Sequence, residues 1–241
     1  MSIVASSNRE IEQACVFILY SALFDVLDGI VARFTRTSSR FGVELDSLAD
    51  VVSFGAAPSF ILYKAYFQSL NGPGIAISAL IMIFAALRLA RFNIQLTGLD
   101  KSHFSGIPAP ISAVTVSSFF LFYYDKNFSH YSSEIFAYAI AIILPLLMVS
   151  KLKYDSFPKF SIIAIKAQPV KSIIILIIII MIAVSKGEGL FAFCLFYISS
   201  GIFRGFKNQF RKLFFSKKSS DQETEESFGN PPLREKFKSS D

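Results

Sequence analysis

The chain has 241 residues, of which 53% are hydrophobic and only 17% are charged. A soluble domain carries about 25% charged residues, so the composition excludes an ordinary soluble enzyme and favours an integral membrane protein. Two cysteines are too few for a disulfide scaffold or a thiolate zinc cluster. The formal net charge of +6 would fit a nucleic-acid partner, unless the positions of the basic residues give that charge another role.

Seven segments are apolar enough to be membrane helices, which need about 20 residues each. They lie near residues 13–32, 43–65, 73–92, 106–124, 133–150, 169–185 and 188–204. None of them shows the alternation of apolar and polar residues that is typical of membrane β-strands. The sequence therefore predicts an all-α integral membrane protein. We expect a membrane domain over residues 1–205, and a basic amphipathic segment with a disordered cytoplasmic tail over residues 206–241.

Lys and Arg are concentrated in alternate connections between these spans, namely 33–41, 88–101, 151–171 and the segment after 204. Because cytoplasmic loops of membrane proteins are enriched in Lys and Arg, these connections are predicted to face the cytoplasm. The positive charge is then explained by membrane topology, and we expect no nucleic-acid partner. This orientation leaves the N-terminus outside without a signal peptide, so we expect that a first helix is missing or truncated in this chain.

Four aspartates lie within the first two predicted spans: Asp25, Asp28, Asp46 and Asp50. A carboxylate at mid-membrane costs about 2.5–3.5 kcal/mol, so such a group is expected to line a wet cavity, to bind a cation, or both. Asp25 and Asp28 share one helix face, and Asp46 and Asp50 share another. At 1.5 Å per residue, Asp25 and Asp50 lie about 12 Å from the cytoplasmic boundary. The spacing therefore predicts an acidic cavity that is open to the cytosol.

Carboxylates without His or Cys form a set of oxygen ligands that suits Mg²⁺, Mn²⁺ or Ca²⁺, and Mg²⁺ often shares its coordination with substrate phosphates. Carboxylates within a membrane also mark the ion paths of cation transporters. A transport path needs polar residues across the whole bilayer, however, whereas these aspartates cluster in its cytoplasmic half. An enzyme that acts on a phosphate-containing substrate is the leading interpretation, and a transporter is the alternative.

A set of residues at fixed spacing resembles the signature of the CDP-alcohol phosphatidyltransferases: Asp25-x2-Asp28-Gly29-x2-Ala32-Arg33-x8-Gly42-x3-Asp46-x3-Asp50. These integral membrane enzymes transfer a phosphatidyl group from a CDP-linked lipid to an alcohol and release CMP. Residues 44–58, 86–93 and 106–110 resemble the bacterial phosphatidylserine synthase branch of the family. The resemblance implies CDP-diacylglycerol and L-serine as substrates. Inositol phosphate, glycerol phosphate and choline stay open as other acceptors, and so does an inactive shortened chain.

The resemblance also implies roles for single residues. The metal ligands would be Asp25, Asp28, Asp46 and Asp50, which would bind two ions of Mg²⁺ or Mn²⁺. Asp50 is in addition our candidate catalytic base, because the motif offers no His. The residues that match the CDP-binding part of the motif are Gly29, Ala32, Arg33 and Gly42. Weaker candidates for binding the acceptor or the lipid phosphate are Ser53, Arg88, Arg91 and Asn93, with a purely topological role as the alternative for the two arginines.

The family further implies a homodimer in the lipid bilayer. Together with the distribution of basic residues, it predicts a multi-pass protein of the inner (cytoplasmic) membrane, whose active site faces the cytoplasm.

Overall fold

The computed structural model describes residues 1–35, 40–96, 106–124, 126, 129–150, 152, 154, 185 and 187–205. Within these ranges the chain forms helices and no strand, which confirms the predicted all-α class. The helices are, in chain order, α1 Ser2–Ser7, α2 Ile11–Thr35, α3 Arg40–Asp50, a π-helix Val51–Ala56, α4 Ala57–Ala65, a 3-10 helix Phe67–Leu70, α5 Gly72–Leu96, α6 Ala109–Phe122, α7 His130–Val149 and α8 Gly189–Gly205.

Several of these helices are suited to a membrane. Among the described residues, four stretches are long and apolar enough to cross one: Ile11–Val31, Glu44–Ala65, Gly72–Ile94 and His130–Val149. Helices α6 and α8 are apolar but shorter. Six of the seven predicted spans thus correspond to a described helix, and the remaining one, 169–185, lies outside the described residues. The chain therefore has the helices of a multi-pass membrane protein.

The apolar side chains of these helices divide into a core and an exposed exterior. Phe24, Ile83 and Ile143 are 61%, 50% and 48% exposed. Such an exterior is a liability in water but suits contact with lipid chains. The core is built where α2, α4, α5, α6 and α7 pack together, with fully buried side chains that include Ile18, Ile61, Ile81, Val116 and Phe119.

Glycines permit two close approaches within this bundle. A Cβ atom on Gly55 would lie 3.3 Å from the Cβ of Ala85, so the π-helix packs tightly against α5. Gly106 has a φ of +84°, a backbone conformation that favours glycine. A Cβ at Gly106 would lie 2.0 Å from the carbonyl oxygen of Met148. The segment that leads into α6 therefore packs directly against the C-terminal end of α7.

The chain divides into two units, Met1–Gly201 and Ile202–Asp241. Helices α1 to α7 belong to the first unit, in which α1 packs against α2 and α4. The hydroxyl of Ser2 donates to the carbonyl oxygen of Ala14 at 2.8 Å, and this buried hydrogen bond joins α1 to α2. The predicted amphipathic segment and tail, 206–241, lie outside the described residues.

Candidate active site

Three carboxylates from two helices meet in the first unit. Asp25 lies on α2, and Asp46 and Asp50 lie one turn apart on α3. One carboxylate oxygen from each lies within 4.8 Å of the other two. Asp25 and Asp50 are partly buried and Asp46 is exposed, so the group borders on solvent. The sequence predicted an acidic cavity lined by four aspartates of the first two spans, and three of those aspartates lie together here.

Helix α3, which carries Asp46 and Asp50, continues without a break through the π-helix into α4. Asp50 has φ −61° and ψ −44°, and Ala57 has φ −62° and ψ −50°, so the backbone is helical at both ends of the π-helix between them. π-helical turns are rare and occur frequently at functional sites. Here the wide turn begins directly after Asp50, and it brings Gly55 against α5. Close packing of the π-helix against α5 thus holds this continuous helix in place next to its carboxylates.

The charge of this group calls for a cation. Two unit charges 4.8 Å apart repel each other by about 3.5 kcal/mol at an effective dielectric constant of about 20. All three members of the group are carboxylates, and oxygen ligands of this kind suit Mg²⁺ and Mn²⁺. The donor set therefore fits the divalent cation that the sequence motif implies.

The other residues of the motif are either exposed or have side chains that lie outside the described residues. Asp28 follows Asp25 by one turn on α2 and is exposed, and it is outside the group of three carboxylates. Gly29 and Gly42 are also exposed. Ala32 and Arg33 belong to α2, but their side chains lie outside the described residues. The roles of these five residues stay predictions.

The two arginines of α5 have different surroundings. Arg88 is partly buried and close enough to Asp50 for an electrostatic interaction. Its Nε atom is buried and has no hydrogen-bond partner within the described part of the chain. Arg91 instead donates from Nη1 to the carbonyl oxygen of Val149 at 3.0 Å, at the C-terminus of α7. Arg91 thus satisfies a carbonyl that the helix end leaves open, whereas Arg88 can receive an anion.

The remaining two acceptor candidates, Ser53 and Asn93, belong to different helices. Ser53 is a partly buried residue of the π-helix. Asn93 is near the end of α5, where its Nδ2 atom donates to the hydroxyl of Ser47 at 3.0 Å and to Oε2 of Glu44 at 3.4 Å. Asn93 therefore contacts α3 itself.

Sequence reasoning gave no role to three residues at this end of the bundle: Glu44, Ser47 and Tyr197. Glu44 and Ser47 are three residues apart and therefore lie on one face of α3. This spacing is the sequence feature that could have indicated a shared contact. Tyr197 of α8 interacts electrostatically with Arg88, and its ring stacks on that of Tyr154 with centroids 5.6 Å apart. Nothing in a single sequence marks this contact.

Tyr154 holds the chain after α7 against α8. Burial, and to a lesser extent the neighbouring Tyr197, raises the pKa of Tyr154 to about 12. Its hydroxyl therefore stays protonated at neutral pH, and it donates to the carbonyl oxygen of Ile198 at 3.4 Å. A Cβ on Gly201 would lie 1.9 Å from the Tyr154 ring, so this ring packs directly on the α8 backbone.

Similarity to known proteins covers most of the chain. Residues 1–203 match the CDP-alcohol phosphatidyltransferase family. A CDP-diacylglycerol–serine O-phosphatidyltransferase of Helicobacter pylori is 38% identical over 220 residues, which are 91% of each chain. An archaetidylserine synthase of Methanothermobacter thermautotrophicus is 41% identical over 158 residues, or 64% of this chain and 63% of its own length. A CDP-diacylglycerol–serine O-phosphatidyltransferase of Methanocaldococcus jannaschii is 42% identical over 142 residues, or 58% and 63%. On its helices, its acidic motif and these matches, the chain belongs to the CDP-alcohol phosphatidyltransferase family of phosphotransferases.

Proposed function

We propose that this protein transfers the phosphatidyl group of CDP-diacylglycerol to L-serine, giving phosphatidylserine and CMP, in a reaction that depends on a divalent cation. The observation that carries the proposal is the meeting of Asp25, Asp46 and Asp50 within 4.8 Å inside the membrane helices of a family member. The choice of serine is supported by the names of the three relatives described above, of which two are serine O-phosphatidyltransferases and one is an archaetidylserine synthase.

The carboxylates of Asp25, Asp28, Asp46 and Asp50 would hold the cations, which we infer to be two ions of Mg²⁺ or Mn²⁺. When bound, such cations neutralise the charge of the diphosphate and of the departing CMP. The aspartates themselves orient the reacting phosphate by fixing where that positive charge lies. Their own mutual repulsion makes the site favourable for cations and unfavourable for a free anion.

Asp50 is proposed to act as the general base. The serine hydroxyl oxygen attacks the phosphorus that carries diacylglycerol, and its proton passes to the Asp50 carboxylate. The bond from that phosphorus to the oxygen of the CMP phosphate then breaks, and CMP leaves. Arg88 interacts electrostatically with Asp50, and its buried Nε has no hydrogen-bond partner among the described residues, so we assign it to the carboxylate of the incoming serine. This contact would hold the hydroxyl near its base.

The surroundings of the site follow from the distribution of charge. Arg33 and Arg36 precede α3 in the sequence, and Arg88 and Arg91 lie in the C-terminal part of α5, so we infer that the carboxylates open toward the cytoplasm. CDP-diacylglycerol would enter from the bilayer, and serine and CMP would exchange with the cytosol. We infer the inner (cytoplasmic) membrane as the location. A homodimer is inferred from the family alone.

The proposal is tested with the full chain purified in detergent and mixed with CDP-diacylglycerol. Serine, glycerol phosphate, inositol phosphate and choline are supplied separately, each with Mn²⁺ or Mg²⁺, and CMP release and the lipid product are measured. We expect phosphatidylserine and CMP with serine. Turnover of another alcohol without turnover of serine would refute the acceptor, and unchanged turnover after chelation would refute the cation dependence.

A further inference from the structure

Helix α3 carries two of the three converging carboxylates but has little packing of its own. Among the described elements, it packs mainly against the π-helix that continues it. Phe41, Leu45 and Leu48 are 76%, 54% and 66% exposed, so the outward faces of α3 are not held by a core. The direction in which Asp46 and Asp50 point therefore needs another constraint.

Asn93 supplies such a constraint from α5. Its Nδ2 atom donates to Ser47 Oγ at 3.0 Å and to Glu44 Oε2 at 3.4 Å, and its Oδ1 atom accepts from the Ser47 hydroxyl at 3.4 Å. A carboxamide can donate two hydrogen bonds and accept others at the same time, which a carboxylate cannot do. The amide of Asn93 thus contacts two successive turns of α3.

The contacted face of α3 is distinct from its acidic face. Each residue advances an α-helix by about 100°, so Ser47 points about 100° away from Asp46 and about 60° away from Asp50, and Glu44 points about 160° and about 120° away from them. The contact of Ser47 and Glu44 with α5 therefore fixes the rotation of α3 about its axis. With that rotation set, Asp46 and Asp50 face Asp25 on α2.

We propose that Asn93 is a positioning residue, which sets the rotation of α3 and thereby holds the carboxylates of Asp46 and Asp50 in reach of Asp25. Asn93 then acts on the cation site through α3 and does not need to touch the serine. This inference rests on the proposed function only in taking the three carboxylates to be a cation site.

The test measures Mn²⁺ binding to the full chain in detergent, from the electron paramagnetic resonance signal of free Mn²⁺. Asn93→Ala removes the contact, and we expect about three- to tenfold weaker Mn²⁺ binding, the size of effect that loss of one or two partly exposed hydrogen bonds gives. Asn93→Asp should weaken binding further, because its carboxylate cannot donate and repels Glu44. Adding Glu44→Gln to Asn93→Asp restores a donor opposite the new acceptor and should recover most of the binding.

A matched control is a hydrogen bond between α5 and α4, the helix that continues α3 beyond the π-helix. Ser59 of α4 donates to the carbonyl oxygen of Ser78 on α5 at 2.6 Å, in a buried hydrogen bond away from the carboxylates. Ser59→Ala should lower the thermal stability and leave Mn²⁺ binding unchanged. Hydrogen exchange of the α3 backbone amides without metal gives a second measurement, which should become faster in Asn93→Ala and not in Ser59→Ala.

Unchanged Mn²⁺ binding and unchanged α3 exchange in both Asn93 variants would overturn the inference. It would also be overturned if Asn93→Ala raised the KM for serine alone, since Asn93 would then contact the acceptor. If the wild-type chain bound no Mn²⁺, α3 exchange would decide on the positioning role while the proposed function itself failed. If the wild type bound Mn²⁺ but did not use serine, only the proposed acceptor would fail.

Discussion

Replacing Asp50 by Asn removes one of three converging negative charges and keeps the size of the side chain. The carboxylate oxygens of Asp25, Asp46 and Asp50 lie within 4.8 Å of one another. At this distance each pair repels by about 0.9 kcal/mol at a dielectric constant of about 80 and by about 3.5 kcal/mol at about 20. Asp50 belongs to two pairs, so its neutralisation relieves about 2–7 kcal/mol. For the pair with Asp46, which is exposed to solvent, the value of about 0.9 kcal/mol at the higher dielectric constant applies.

Asp50→Asn should therefore change stability and activity in opposite directions. Without metal, the variant should unfold at a higher temperature than the wild type. Added Mn²⁺ should stabilise it less, because one ligand is lost. CMP release should fall by at least about 100-fold, since a general base contributes about 10²–10⁴-fold. Unfolding can be followed with a thiol-reactive dye, because the free cysteines Cys15 and Cys194 are both buried.

Glu44→Gln is the matched control for this experiment. It removes the same charge from the same helix, but Glu44 is exposed and lies outside the group of three carboxylates. Its amide oxygen can still accept from Asn93, so stability, Mn²⁺ binding and turnover should stay close to those of the wild type. The reasoning would be refuted if Asp50→Asn kept full activity, or if Mn²⁺ stabilised it as much as it stabilises the wild type.

Three other outcomes are expected. Arg88→Ala should raise the KM for serine at least tenfold in the CMP-release assay. Arg91→Ala should leave that KM unchanged and lower the unfolding free energy by about 1 kcal/mol, because it removes one hydrogen bond. Equal effects of the two substitutions on KM would contradict the distinction between these arginines. Gly55→Val should lower the unfolding free energy by about 1–3 kcal/mol, because its side chain must displace Ala85, and a thermal unfolding midpoint like that of the wild type would contradict this close packing. Removal of divalent cations with EDTA should stop CMP release, and added Mn²⁺ or Mg²⁺ should restore it; activity that survives full chelation would argue against a cation site.

The sequence was most informative where a regular spacing has one physical interpretation. Asp46 and Asp50, four residues apart, share a helix face in any α-helix, and a charge within an apolar span must find a partner or water. The convergence of these residues with Asp25 could therefore be predicted. Hydropathy located the spans for a similar reason, but it marks only the apolar part of a helix. Helix α5 accordingly continues to Leu96, beyond the predicted end near residue 92.

Other features of the site depend on tertiary packing, which no spacing reveals. The segment Val51–Ala56 has the composition of an ordinary apolar helix, and its wide turn becomes evident only with α5 packed against Gly55. Arg88 and Arg91 look equivalent in the sequence, yet Arg88 interacts electrostatically with Asp50 and Arg91 donates a hydrogen bond to the carbonyl oxygen of Val149 at the end of α7. The contact of Asn93 with α3 was not evident in the sequence, because the partners of its amide are more than 45 positions earlier in the chain.

The wide turn after Asp50 also separates two requirements on one membrane-spanning helix, namely that its aspartates point toward α2 and that its apolar side chains pack in the core. A π-turn accommodates one residue more than an α-turn, and each residue corresponds to about 100° of rotation. The part of the helix that carries Asp46 and Asp50 can therefore direct them toward Asp25 on α2, while the π-turn and the part after it direct Phe54 and Ile61 into the apolar interior. A uniform α-helix would tie these two directions together. The π-turn lets the direction of the carboxylates and the packing of the apolar side chains be adjusted independently along one continuous helix.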